Sequence, residues 1–203
     1  VDGLDLSDGV EDAQRRGWLD TAHTGLFPSL ADDLAGAYDA VSMSHYLEHT
    51  RDPKAEVAAA AQVLRPGGLF FVEVPDPSSW FGNLFRPFWL PWFQPQHQHF
   101  VQLEALEDLM RAHGLQPLAR QRAEAHLPTE GILGAVSVLA RLAPTPEFPW
   151  RPRPGRLVRA WNSVVWGFGG PLLLVGVLFD KLGAGLLTRS GASNTYRVIA
   201  RKR

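Results

Sequence analysis

The sequence predicts an α/β protein built on a parallel sheet, and three observations predict it. Ala40–Ser44 and Leu69–Val74 are short apolar runs suited to buried strands. Between them, Val57, Ala60, Ala61 and Leu64 recur at helical spacing and give one apolar face. The joints are tight, so strand, helix and strand form a crossover whose two strands run parallel.

The signals at the ends of this unit are local. Asp52-Pro53 supplies an N-cap and a proline at the first helical position. Pro66 is expected to stop the helix, with Gly67-Gly68 making the turn into the next strand. In sheets of this kind ligands sit beyond the carboxyl ends of the strands. Two places qualify: Ser44-His45-Tyr46 after the first strand, and Pro75-Asp76 after the second.

Upstream, Val1–Leu6 reads as a strand ending at Asp5, followed by a helix to about Arg16 that Gly17 can end. Trp18–Thr24 is a weaker strand candidate, and Asp32 and Asp33 suit a solvated turn. Downstream, residues 80–100 hold Trp80, Phe81, Phe85, Trp89, Trp92 and Phe100 among several prolines, and no helical or strand period fits them. A long irregular loop expects function or disorder, and this one is too aromatic for disorder. It reads either as a lid over an apolar pocket or as a hydrophobic plug, with membrane contact a third reading. Val101–His113 is an amphipathic helix closed by Gly114, and Leu115–Arg122 and Thr195–Arg201 are strand candidates.

Between those last two strands lies an insertion, Ala123 to Asn194. A proline-rich stretch carries Arg151 and Arg153, and Arg156 and Arg159 follow it. Val164–Phe179 then runs 16 residues without a charge, until Asp180 and Lys181 interrupt it. A membrane span needs about 20 apolar residues, and Gly169-Gly170-Pro171 breaks this one. Two short helices lying at a lipid surface, a buried hairpin and a dimer surface all fit.

Composition sets bounds. The 203 residues suffice for one sizeable domain with an appendage. A formal net charge of −1 gives no electrostatic case for nucleic acid. There is no cysteine, which excludes disulfides and thiolate chemistry and suits a reducing cytoplasm. The localisation expected is cytoplasmic, with membrane association through residues 157–190.

The run DAVSMSHYLEHTRDP, then VLRPGG, then a strand ending VPDP, resembles class I S-adenosylmethionine-dependent methyltransferases. The similar subgroup has an H-x-LEH segment and LRPGG on either side of this crossover helix. The resemblance covers about residues 1–125 and returns at the last ten. It implies a Rossmann-like, doubly wound sheet whose last strand, here Thr195–Arg201, is antiparallel and lies between the strands at 69–74 and 115–122. It divides the chain into a methyltransferase domain, 1–125 with 194–203, and a helical hydrophobic insertion, 126–193.

The resemblance also implies S-adenosylmethionine as cofactor and a small-molecule acceptor, apolar or membrane-borne. Asp5, in GLDLS, matches the acidic residue that binds the ribose hydroxyls, with Leu6 beside it; the bland alternative is that Asp5 only caps the following helix. Gly25 and Leu26 would approach the adenine, although the acidic residue frequent there is missing. Ser44 and His45 would line the cofactor, with Glu48 and His49 fixing the turn. His45, His97 and His99 are candidate bases for an acceptor that must lose a proton, and His97, in H-x-x-F before a helix, is favoured by family position.

The family's first strand and glycine-rich loop have no counterpart in this sequence. A domain lacking its N-terminal part is therefore expected, with a gap or improvised pairing beside Ala40–Ser44 and doubtful activity by itself. Three rivals compete. His45-Tyr46-Leu47-Glu48-His49 is formally H-x-x-E-H, a zinc-hydrolase pattern, but little more than one turn separates it from the next helix. A nicotinamide-binding domain would also use Asp5. A non-catalytic, degenerate domain serving membrane attachment or interaction is the third.

Overall fold

The computed structural model describes residues 1–89, 91, 92, 95–122, 129–143, 152–190 and 194–203, and for residues 184–190 the backbone alone. Phe93, Arg151 and most of the proline-rich stretch lie outside the described residues. The chain divides into two compact units. The first comprises Val1–Val74, Leu103–Arg120 and Arg197–Arg203; the second comprises Pro75–Gln102 and Gln121–Tyr196.

The first unit holds the sheets. Strands β3 (Tyr38–Ser44), β4 (Leu64–Pro75), β5 (Leu115–Gln121) and β6 (Thr195–Lys202) form one sheet in the order β3-β4-β6-β5. β3 and β4 are parallel, with Val41 opposite Phe70 and Met43 opposite Val72. β6 runs antiparallel to β4: its far end reaches the start of β4, where Lys202 Nζ donates to the Leu64 carbonyl, while Arg197 pairs with Glu73 near the other end. The position expected for the last strand is therefore the one observed. Phe70, Val72 and Val74 of β4 pack with Val198 and Ala200 of β6 among the fully buried core.

Helix α3 (Pro53–Val63) crosses from β3 to β4. Asp52 Oδ1 accepts from the Lys54 and Ala55 amides at 3.0 and 3.1 Å, as its N-cap position predicts. One boundary differs from expectation. The helix ends at Val63, and β4 pairs already at Leu64, so Arg65–Gly68 form a bulge in the ladder rather than a turn before it. Gly67 supplies the positive φ there, +84°. Helix α5 (Leu103–Ala112) buries Leu106 and Met110.

β1 (Asp2–Asp5) and β2 (Thr21–Thr24) form a separate parallel pair, with α1 (Gly9–Arg15) as their crossover and α2 (Phe27–Leu30) following. Among the described residues, β1 pairs with β2 and β3 with β4, so each has one edge without a strand neighbour. A cleft of about 170 Å³ lies between those edges, lined by Asp2, Gly3 and Leu4 of β1 and by Ala40–Met43 of β3. The opening expected beside Ala40–Ser44 is thus present. Tyr38 crosses one end of it: its hydroxyl donates to Asp2 at 2.8 Å and lies 3.2 Å from His23 Nε2. Burial, and then the Asp2 carboxylate, push the Tyr38 phenol up to about 12.

The second unit is helical. Residues expected to be irregular form α4 (Trp80–Phe85), whose N-cap Ser79 accepts from the Gly82 amide at 2.9 Å. A 3₁₀ turn, Arg86–Phe88, follows. Phe81 and Trp89 are buried, whereas Trp80 and Trp92 stay exposed, so the aromatic segment is part plug and part surface. The insertion supplies α6 (Glu130–Leu142), α7 (Arg156–Phe168) and α8 (Gly170–Ser190). α7 and α8 break at Gly169 with a 42° bend, where Gly169-Gly170-Pro171 predicts one.

α8 continues through Asp180-Lys181, where the uncharged run of the sequence ends. Asp180 turns inward and caps α6, accepting from the Gly131 amide at 2.8 Å and the Ile132 amide at 2.9 Å. A charge so paired does not interrupt a helix. The two helices touch at Gly131 and Gly176; a Cβ on Gly131 would sit 2.6 Å from the Gly176 carbonyl oxygen. Among the described residues, no single helix is long and apolar enough to cross a membrane.

Candidate cofactor site at the strand ends

The site builds from the carboxyl ends of the parallel strands. β1 ends at Asp5, whose Oδ1 accepts from both the amide and the hydroxyl of Ser7 at 2.7 Å. These bonds hold the carboxyl below the usual carboxylate range, so it is ionised at neutral pH. Asp5 does not cap α1, whose N-cap position is Asp8; its bonds to Ser7 fix the turn that leads there. The carboxyl is also exposed, as a hydroxyl-binding group must be, and so is Leu6.

The Asp5 carbonyl accepts from the Gly25 amide at 3.0 Å, which joins the ends of β1 and β2. Gly25 has φ +153°, and a Cβ there would press on Leu30 at 3.2 Å. The turn therefore requires glycine. Leu26 beside it is exposed.

β3 ends at Ser44, and the chain turns at His45 with φ +48°, one of two non-glycine residues with positive φ among those described. Bonds on both sides hold this strained corner. The His45 amide donates to the Glu73 carbonyl at 3.0 Å. Its Nδ1 lies 3.0 Å from Glu48 Oε1 and its Nε2 3.5 Å from Glu73 Oε1. The hydrogen bond with Glu48 raises the imidazole above its ordinary value against the effect of burial, with Glu73 adding to it.

Leu47–His49 is a 3₁₀ turn, and His45 lies outside it in the left-handed region. The α-helical turn that an H-x-x-E-H zinc site needs, with His45 and His49 one turn apart, is therefore absent. His45 and Glu48 bond each other instead. The pairing of His45 with His49 across one helical turn, which the H-x-x-E-H pattern assumes, is not formed.

Glu73, which sequence reasoning passed over, and Tyr46, the third residue of the Ser44-His45-Tyr46 segment, organise the corner. Glu73 is buried in β4; Oε2 accepts from Arg197 Nε at 3.0 Å and Nη2 at 2.6 Å, and Oε1 from the Ser44 hydroxyl at 3.4 Å. Tyr46 donates to Glu56 at 3.1 Å, and burial, followed by Glu56 and Asp5, raises its phenol strongly. Tyr46 thus lies within the field of Asp5 while following the Ser44-His45 corner. A carboxylate inside an otherwise apolar strand was the available signal for Glu73.

The second unit holds His97. Its Nδ1 donates to the Pro91 carbonyl at 2.7 Å, which sets the neutral ring as the tautomer with its lone pair on Nε2. Trp89, Trp92 and Phe100 pack as a cluster of rings, with Trp92 and Phe100 centroids 4.4 Å apart. Asp76, directly after β4, is buried and pairs with Arg122 at 3.0 Å.

Residues 1–120 match the family of methyltransferase domains, and the chain belongs to that family. Ubiquinone biosynthesis O-methyltransferase of Idiomarina loihiensis is 33% identical over 97 residues, 45% of this chain and 40% of that protein. The protein of the same name in Cereibacter sphaeroides is 32% identical over 100 residues, again 45% and 40%. The aligned part thus spans about two fifths of these curated relatives. Among solved structures, a possible histamine N-methyltransferase of Thermotoga maritima superposes with a TM-score of 0.57 at 15% identity, covering 100% of this chain and 72% of that one. A SAM-dependent methyltransferase of Archaeoglobus fulgidus gives 0.56 at 16% identity, covering 99% and 75%. These two likenesses speak to the fold, a mixed Rossmann-like sheet.

Proposed function

We propose that this domain transfers the methyl group of S-adenosylmethionine to a small apolar acceptor, on oxygen. The observation that carries the reading is the family match over the unit that sets Asp5, Gly25, Ser44 and His45 at the ends of three parallel strands. The ionised Asp5 carboxyl suits two neighbouring ribose hydroxyls. Gly25 lets the backbone come close to a flat base, and Ser44-His45 form a rigid wall. S-adenosylmethionine supplies an already activated methyl group. The protein's share is to orient the acceptor and exclude water.

The name of the curated relatives, ubiquinone biosynthesis O-methyltransferase, supports oxygen as the acceptor atom. The many aromatic residues between Trp80 and Phe100 support an apolar acceptor. His97 is the candidate base on family position, and its ring is oriented by the hydrogen bond from Nδ1 to the Pro91 carbonyl. A membrane-borne acceptor, and peripheral membrane contact through 157–190, draw support from the exposed apolar side chains of α7 and α8. The same helices favour the second reading, a non-catalytic domain used for attachment.

Calorimetry with S-adenosylmethionine on the full protein tests the proposal. Binding is expected, and Asp5→Ala should weaken it by about 1–3 kcal/mol, the cost of unpairing bound hydroxyls. No binding by the wild-type protein refutes the enzyme reading. Binding without methylation of any hydroxylated aromatic acceptor favours the non-catalytic one.

A further inference from the structure

The insertion exposes apolar side chains on a scale that its own packing does not explain. α7 buries only Val165, against Leu139 of α6 and Ala143 just after it, with Leu173 beside them. α8 meets α6 through Gly176 and Asp180. Elsewhere along the pair, Leu157 is 87% exposed, Phe168 83% and Leu182 79%, with Trp161, Leu174 and Val175 all more than half exposed. Apolar exposure on this scale marks an interaction site.

The charges around it have one sign. Between residues 156 and 190 the sequence has Arg156, Arg159, Lys181 and Arg189, and a single acid, Asp180. That acid is buried and bound to the Gly131 and Ile132 amides. Among the described side chains of α7 and α8, the exposed charges, Arg156, Arg159 and Lys181, are therefore all cations. Trp161 anchors its indole by donating Nε1 to the Leu142 carbonyl at 2.8 Å, while most of its ring stays open. Arginine and tryptophan at the margin of an apolar face match a headgroup layer over acyl chains.

Two features favour lying flat over spanning. Among the described residues no single helix is long and apolar enough to cross a membrane, and the pair that would suffice together is bent by 42° between α7 and α8. The charged pair Asp180-Lys181 also lies within α8. We propose that α7 and α8 dock this protein on an anionic lipid bilayer, lying in the interface with Leu157, Phe168 and Leu182 among the acyl chains and Arg156 and Arg159 at the phosphates. The proposal deepens the reading of a membrane-borne acceptor. Its test needs no S-adenosylmethionine, so the two fail separately.

The test is flotation of the full chain with vesicles of phosphatidylcholine alone and of phosphatidylcholine mixed with phosphatidylglycerol. Flotation with the mixed vesicles is expected, weaker with the neutral ones and weakened by salt. The variant Leu157→Ser/Phe168→Ser/Leu182→Ser should lower partition by roughly tenfold or more, since three insertions are lost. All three side chains are exposed, so the far-UV spectrum should not change. Arg156→Gln/Arg159→Gln should abolish the preference for the anionic lipid. Absence of flotation overturns the proposal, as does flotation equal to wild type in the triple serine variant. So does a wild-type dimer that ignores vesicles and that the triple variant dissolves, because a second copy then covers the face.

Discussion

Arg197 grips Glu73 with two nitrogens on one oxygen, Nε at 3.0 Å and Nη2 at 2.6 Å from Oε2. This pins β6 to β4 at the point from which the other oxygen of Glu73 reaches Ser44 and His45. Glu73 is buried, while the arginine side chain is 42% exposed. Removing the arginine leaves a carboxylate inside the protein without its main partner. Arg197→Met should lower unfolding free energy by about 2–4 kcal/mol, and adding Glu73→Gln should restore part of it. Denaturant titration of the two variants checks this.

His45 predicts a pH signature. Its imidazole is raised from the ordinary 6.5, first by the hydrogen bond with Glu48. A raised histidine binds its proton more tightly folded than unfolded. The stabilisation is therefore complete below about 6.5 and is lost as pH rises through the raised value. His45→Asn should destabilise more at pH 6 than at pH 9. An imidazole titration followed by NMR should place the midpoint above 6.5; a midpoint below it refutes the assignment.

Glu130 predicts the opposite chemistry in the second unit. Burial pushes its carboxyl up from 4.5 to about 7, and the nearby Asp180 adds to the rise; Asn194 Nδ2 donates to it. The folded state then holds a proton that the unfolded state has released. Stability should fall by about 3 kcal/mol between pH 4.5 and 7 on this account alone. Glu130→Gln should flatten that part of the profile. Unfolding free energies at pH 5 and pH 8 for both proteins decide it.

Gly131 and Gly167 form a matched pair. A methyl group on Gly131 would meet the Gly176 carbonyl oxygen at 2.6 Å, backbone against backbone, whereas nothing lies within 4 Å of one on Gly167. Gly131→Ala should cost about 1–3 kcal/mol. Gly167→Ala, within α7, should gain about 0.5–1 kcal/mol. Thermal unfolding of the two should move in opposite directions.

Much of the fold was legible because its signals are local. Asp52-Pro53 and Gly114 mark helix ends by their own chemistry, and the apolar runs at 40–44 and 69–74 fix a parallel pair. The place of β6 came from the family resemblance, since nothing in Thr195–Arg201 says which strands it joins. What escaped depends on distant partners. Glu73 is matched by Arg197, 124 positions later. Asp180 reads as an interruption of an uncharged run until its partners are seen to be amides 48 and 49 positions earlier. The segment from Trp80 lacks a period, yet Ser79 caps a helix there. At the site, the chain ends at Asp5, Gly25 and Ser44 could be read, whereas the positive φ of His45 could not.

β6 also sets the order in which the protein can be made. The strand at the centre of the four, between β4 and β5, is supplied by residues 195–202. While a ribosome is still extending the chain through the insertion, β4 and β5 have no strand between them. The helices of the insertion, built from near neighbours, can form in that interval, whereas the sheet must wait. Loop closure across the long insertion costs little more than across a short one, about 0.6 kcal/mol per doubling of length. The delay is therefore one of time rather than of final stability, and it leaves unpaired strand edges open to chaperones during synthesis.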